Sequence, residues 1–168
     1  MAEALTRIDP VPTAAASFAG GTLALVPAAK RYSLRGTAGD LQAVVPIKLP
    51  TNIGDVSDAG ASLAVMLGPD EWLLIGEVSS DGRGQQVSIT EITERQIGLA
   101  IEGPRAAELL MSGCPLDLER MAAGRGTRTI YETVEIVIIK RSATRFHVEI
   151  WRSFAPWLWA ALAQAGAD

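Results

Sequence analysis

One cysteine, Cys114, and one histidine, His147, are all that this 168-residue chain has of the two residue types behind most metal cages and nucleophilic triads. A lone cysteine excludes an intramolecular disulfide framework. With a single histidine beside it, no thiolate or imidazole zinc cage can be built from the isolated chain. Any triad that needs an imidazole has only His147 to recruit. Positive charge is short as well: 15 Lys and Arg against 19 Asp and Glu leave a formal net charge of -4. That balance argues against wrapping a phosphate backbone, so no nucleic-acid partner is expected. Long unbroken apolar runs are missing too. The most apolar stretch, residues 11–29, is cut by Pro12, Pro27 and the pair Gly20-Gly21, and it follows the acidic Glu3 and Asp9. It has neither the continuity of a membrane helix nor the positive start of a signal peptide, so the chain reads as cytoplasmic with no membrane span.

What the chain does have is a composition that is 48% hydrophobic, at a length that buries about 70% of its unfolded surface. One compact domain, or a closely fused pair of small ones, accounts for that. Residues 1–30 are Ala-, Pro- and Thr-rich with few large apolar side chains, and are expected to form an N-terminal arm, mobile or bound to a partner. The folded domain is placed at residues 31–168.

Within it, short apolar runs alternate with turn residues. Arg31-Tyr32-Ser33-Leu34-Arg35 has the period of a strand. Val44-Val45-Pro46-Ile47-Lys48-Leu49 predicts an edge strand, because Pro46 removes a backbone donor. The runs 62–67 and 72–76, joined by Gly68-Pro69-Asp70-Glu71, predict a hairpin. Strands are also predicted at 87–93 and 96–101. A short helix follows over 103–111, with Pro104 at its start and Gly113 as a left-handed stop. Residues 129–140, β-branched almost throughout, predict one long strand, paired through residues 141–144 with a strand at 145–151. The chain closes with a helix over 153–166, with Ser153 as N-cap, Pro156 in the first turn and a core stripe of Phe154, Leu158 and Leu162. Hairpins outnumber helical crossovers. The fold class is therefore α+β: mostly antiparallel sheet with hairpins and two short helices.

Residue types that could carry chemistry have plainer explanations. Cys114 follows a helix C-terminus, whose partial negative charge disfavours a thiolate, and reads as structural. His147 alternates with Arg145 and Glu149 on the polar face of a strand, where a solvated or ion-paired imidazole is the ordinary outcome. Gly82-Arg83-Gly84 and Gly124-Arg125-Gly126 lack the flanking strand, helix and third glycine of a dinucleotide site and read as loops. Asp117, Glu119 and Arg120 share no fixed face and read as a solvated turn. Asp55 and Asp58 fall short of the six to eight oxygens that calcium takes. No catalytic, cofactor-binding or metal residue is assigned.

The tryptophans differ. Aromatics are only 5% of the chain, yet Trp151, Trp157 and Trp159 fall together at the last strand and helix. At helical pitch Trp157 and Trp159 point about 200° apart, so one small helix cannot bury both against its own sheet. Trp157 and Trp159 are the candidate partner interface, one ring packing inward and the other left for a partner chain.

Five runs carry a resemblance: Arg31-Tyr32-Ser33-Leu34-Arg35-Gly36, Leu67-Gly68-Pro69-Asp70-Glu71-Trp72-Leu73-Leu74, Gly103-Pro104-Arg105-Ala106-Ala107-Glu108-Leu109-Leu110, Gly113-Cys114-Pro115-Leu116-Asp117-Leu118 and Trp151-Arg152-Ser153-Phe154-Ala155-Pro156-Trp157. Over about residues 31–162 the chain resembles the gamma subunit of heterotetrameric sarcosine oxidase. The resemblance implies a fold like the folate-binding domain of the aminomethyltransferase of glycine cleavage, and a non-catalytic assembly subunit that packs directly on a large alpha subunit, with beta and delta in the same complex. FAD, covalent FMN, NAD, tetrahydrofolate and zinc are then expected in the partner subunits and none in this chain. The assembly would oxidise the N-methyl group of sarcosine, giving glycine and hydrogen peroxide, with the one-carbon unit passed to tetrahydrofolate. Two other readings stay open. One is a free-standing folate-binding or aminomethyltransferase-like protein, which would be roughly twice this length. The other is a gamma-like subunit of another amine-oxidising complex.

Overall fold

The computed structural model describes residues 8–82 and 86–167. The dominant feature is a pair of antiparallel sheets. The first contains β1 (Ala16–Phe18), β2 (Gly21–Leu25), β8 (Gln96–Glu102), β9 (Arg125–Tyr131), β10 (Val134–Ser142) and β11 (Arg145–Trp151), in the order β1-β2-β8-β11-β10-β9. The second contains β3 (Arg31–Arg35), β4 (Val56–Asp58), β5 (Leu63–Gly68), β6 (Glu71–Ile75) and β7 (Ser88–Glu91), in the order β4-β5-β6-β3-β7. Three helices complete the described residues: α1 (Ala38–Gln42), α2 (Ala106–Met111) and α3 (Ala155–Ala165). The α+β, antiparallel architecture read from the sequence is the one observed, with α1 added to the two expected helices. A five-residue helix is too short to leave a periodic signature, but Thr37 marks its start by accepting a hydrogen bond from the Asp40 amide.

Alternation along the strands sorts side chains into layers. Ile136 and Ile138 of β10, Phe146, Val148 and Ile150 of β11, and Ile97, Leu99 and Ile101 of β8 face α2 and α3 in the largest apolar cluster. On the second sheet, Tyr32, Leu34, Trp72 and Leu74 face α1 and the segment after it. The opposite faces of the two sheets meet through a smaller cluster that includes Val65, Leu73, Val137 and Ile139. The order of layers is thus helices, sheet, sheet, helix. Gly126 of β9 lies in the contact between the sheets, where a Cβ would come within 2.8 Å of a Val65 methyl.

Four expectations need correcting. Residues 44–50 are an irregular buried segment, not an edge strand. Val44, Val45, Ile47 and Leu49 all enter the core, and the Gln42 side chain stands in for a strand partner by bonding Ile47 O and Leu49 N. The single strand expected over 129–140 is the β9–β10 hairpin. Glu132 takes a φ of 52° at the two-residue turn, a conformation that the usual glycine or asparagine signal did not announce. Residues 16–25, assigned to an arm, form the β1–β2 hairpin, and β2 extends the first sheet by pairing with β8 from Thr22↔Glu102 to Leu25↔Leu99. Small Ala, Ser and Thr side chains hid that strand period; residues 1–7 lie outside the described residues. Finally, Gly113 is not a left-handed stop. It has no positive φ, and it is needed because a Cβ there would lie 2.6 Å from the Tyr131 ring.

Candidate functional site

The C-terminal strand and helix hold the residues singled out as an interface. α3 carries no charged side chain, and its N-cap, Phe154, makes no side-chain capping bond. Pro156 in the first turn removes a donor that would otherwise lack a partner. Ala155, Leu158, Trp159 and Leu162, spaced by three and four, face the first sheet. The stripe therefore starts at Ala155. Phe154, at the helix entry, is 43% exposed, and Trp159 takes the core position expected of it. Because Trp159 is only 9% exposed, it is withdrawn from the candidate interface. Trp157, on the other side of the helix, is 37% exposed and meets Tyr131 edge-on at 6.1 Å.

Two neighbours extend that surface. Trp151, 40% exposed at the end of β11, lies 6.5 Å from the Phe154 ring. The β8–β11 register sets Trp151 opposite Gln96, which brings Arg95 alongside, its guanidinium 5.0 Å from the centre of the indole. Trp151, Phe154 and Trp157 thus form an exposed aromatic ridge. The clustering of tryptophans announced part of it. The roles of Phe154 and Arg95 became visible only with the helix boundary and the strand register.

His147 and Glu149 occupy a buried ionic cluster. Glu149 Oε1 accepts from His147 Nε2 at 2.7 Å, and its Oε2 accepts from Arg31 Nε at 2.6 Å. Arg31 Nη1 donates to the Ala29 carbonyl. The Glu149 and Arg31 side chains are 0% and 2% exposed. Burial pushes the Glu149 carboxyl up, but the hydrogen bond and charge of His147 together with Arg31 outweigh it and hold the group below the usual carboxylate range. His147 is therefore hydrogen-bonded to a carboxylate, and the polar face of the strand is covered by the second sheet. Gly98, opposite Glu149 in the register, leaves room for the pair: a Cβ would sit 2.8 Å from Glu149 Oε1. A cavity of about 250 Å³ beside Arg31 is lined by Asp9, Thr13 and Ile97 among others, and neither His147 nor Glu149 reaches it. The imidazole is thus bonded to a carboxylate two residues along its own strand, away from that cavity.

The remaining candidates are scattered. Cys114 is buried under α2, its Sγ 4.0 Å from Thr129 Oγ1. It sits in the outer core while His147 lies between the sheets, so the two cannot share a metal. Asp117 pairs with Arg120 on the surface, Asp55 with Arg125 and Asp58 with Arg141. Among the described residues no three His, Cys, Asp or Glu gather as metal ligands. Gly124 is in a turn, whereas Gly126 lies inside β9 and corrects the loop reading of that pair; Gly84 lies outside the described residues. Neither α2 nor α3 starts from a glycine-rich turn, and the Arg105 guanidinium at the entry to α2 is held by Glu108. These donors do not fit a dinucleotide phosphate. Among the described residues no helix is long and apolar enough to cross a membrane.

No family model matches the chain. Sarcosine oxidase subunit gamma from Arthrobacter sp. is 29% identical over 126 residues, covering 67% of this chain and 62% of that protein. The protein of the same name from Corynebacterium sp. (strain U-96) is 32% identical over 87 residues, covering 46% of this chain and 42% of that one. The chain thus matches between two fifths and two thirds of the length of these curated relatives. A chain of the heterotetrameric sarcosine oxidase from Corynebacterium sp. U-96, solved with pyrrole 2-carboxylate, superposes with a TM-score of 0.77 at 25% identity, covering 91% of this chain and 89% of that one. Glycine cleavage system aminomethyltransferase T from Bartonella henselae superposes with a TM-score of 0.65 at 15% identity, over 86% of this chain and 46% of that one, which is a likeness of fold alone. In sequence the chain is similar to the gamma subunit of sarcosine oxidase, an oxidoreductase complex, and in fold to a chain of a solved heterotetrameric sarcosine oxidase.

Proposed function

We propose that this chain is a non-catalytic assembly subunit of a heterotetrameric sarcosine oxidase, packing directly on the large alpha subunit beside beta and delta. The observation that carries the reading is the superposition over nine tenths of both chains on a component of a solved sarcosine oxidase heterotetramer. It is supported by the chemistry of the chain: its one imidazole is held in a buried hydrogen bond to Glu149, its one thiol is packed in a core, and its helix starts do not fit a dinucleotide. FAD, FMN, NAD, tetrahydrofolate and zinc then belong to the partner subunits, which oxidise sarcosine to glycine with hydrogen peroxide as co-product and the one-carbon unit passed to tetrahydrofolate. Trp157, exposed on α3, is the residue offered to the alpha subunit.

Co-expression with the flavin-bearing subunits tests this. Pull-down on the alpha subunit retains this chain at equal stoichiometry, and omitting the chain lowers the yield or stability of the complex. Failure of the chain to co-purify with any flavin subunit overturns the proposal. Tight binding of tetrahydrofolate by the chain alone would favour the free-standing aminomethyltransferase-like alternative.

A further inference from the structure

Ten arginines fall among the described residues, and eight of them lie within ion-pair distance of a carboxylate. The other two are Arg95 and Arg152, and both lie at the aromatic ridge. They are brought there together: Arg152 N donates to Arg95 O at 2.7 Å where β11 ends beside the start of β8. Arg95 lies over the Trp151 face, whose quadrupole attracts a cation without supplying a counter-charge. Arg152 gives Nη2 to the Ile8 carbonyl, and its buried Nη1 has no hydrogen-bond partner. Between them runs an open cleft of about 490 Å³ lined by Pro10, Arg95, Trp151, Arg152, Ser153 and Pro156. Glu94 also lines this cleft and is already engaged by another group. On a chain of net charge -4, the most aromatic part of the surface therefore carries two arginines that no carboxylate of the described residues pairs.

We propose that this face, Trp151, Phe154 and Trp157 with Arg95 and Arg152, docks a segment of the alpha subunit that presents a carboxylate between apolar side chains. The rings supply area to bury, and three of them are exposed along one side of the strand and helix. Arg95 supplies the counter-charge, in a setting where burial of the surrounding rings lowers the local dielectric and strengthens the pair. The uncharged α3 adds no competing acidic group. This inference rests on the gamma-subunit reading and names the chemistry of the partner that the reading requires.

The test uses the whole co-expressed complex, pulled down through a tag on the alpha subunit, with this chain quantified at low and high salt and the fold of each variant checked by circular dichroism. Phe154→Ala and Trp157→Ala are expected to lower retention roughly tenfold or more at any salt. Arg95→Glu is expected to lower it roughly tenfold at low salt, and wild-type retention itself should weaken as salt rises. Arg120→Glu, on the loop after α2, should be retained like wild type. If the ring variants fold and are retained normally, the face is wrong. If Arg95→Glu is neutral, or retention is indifferent to salt, the acidic partner segment is wrong. Wild-type chain that is not retained at all refutes the gamma-subunit reading itself, whereas normal retention of every variant refutes only this inference. A chain that dimerises by sedimentation and becomes monomeric in Trp157→Ala, with retention unchanged, assigns the face to a second copy and overturns the proposal.

Discussion

On β11, side chains one position apart meet opposite surroundings. Phe146, Val148 and Ile150 enter a layer beneath α2 and α3 that is apolar but for the buried Lys140, whose ammonium lies over the Phe146 ring and donates to the Leu118 carbonyl, while His147 and Glu149 point between the sheets, where Arg31 of β3 meets them. The layer between the sheets holds a smaller aliphatic cluster and is crossed by ion pairs: Arg31 with Glu149, Arg128 with Glu71, Arg125 with Asp55 and Arg141 with Asp58. The outer layer owes its stability to area removed from water, which is tolerant of direction. The inner layer gains less in that way and fixes instead how the two sheets register on one another, because three of these pairs join one strand residue of each sheet and the fourth joins Arg125 of β9 to Asp55 just before β4. The exposed aromatic ridge lies at the end of the same strand, so the orientation of the sheets also orients the proposed docking face.

The largest expected effect is at the centre of that inner layer. Glu149→Ala leaves a buried Arg31 without its carboxylate and should cost about 3–5 kcal/mol in urea unfolding. Replacing the whole cluster, Arg31→Met with His147→Leu and Glu149→Leu, should be neutral or stabilising by about 1–4 kcal/mol, because no charge is then left buried. A triple variant as unstable as the single one would show that the inner layer is held by packing like the outer one. In the outer layer, Gly113→Ala drives a methyl into the Tyr131 ring and should cost about 1–3 kcal/mol by the same measurement.

Acid should find the inner layer first. The Glu149 carboxyl is held below its ordinary value of 4.5 for the reasons given above, and Glu71 is held below it by the Arg128 hydrogen bond, against a partial burial penalty, with the charges of Arg128 and Arg35 adding to the effect. Both groups bind protons more readily in the unfolded chain. Their stabilisation is complete above the unfolded value and is lost as pH falls through the lower folded values. The urea midpoint should therefore drop as pH falls below about 5, with a shallower slope in Glu71→Gln. At the surface end of the layer the effect shrinks. Asp58 and Arg141 are both more than a third exposed, and Asp58→Ala should cost less than about 1 kcal/mol and less again in high salt.

Much of this was legible in the sequence where a signal is local. The β5–β6 hairpin follows from a turn sequence between two apolar runs, and α3 from its proline and four-residue spacing. Alternation on β11 also assigned His147 and Glu149 to one face correctly. It could not say what covers that face, because Arg31 lies 118 residues from Glu149 and only the packing of two sheets brings them together. The β9–β10 turn was missed for a different reason: Glu132 adopts a positive φ that the strand-forming Ile130, Tyr131, Thr133 and Val134 around it disguise. At the candidate site, tryptophan clustering pointed to the right strand and helix. Which ring turns outward depended on where the helix begins, and Arg95 on a strand register that no periodicity encodes.

The division of labour proposed for the complex is tested most directly by the visible absorbance and sarcosine turnover of the purified chain, alone and within the co-expressed complex. The account predicts a colourless chain, inert toward sarcosine, whose complex carries flavin and oxidises sarcosine. Flavin bound to the isolated chain at near-equal stoichiometry, or sarcosine oxidation by it, would contradict the account.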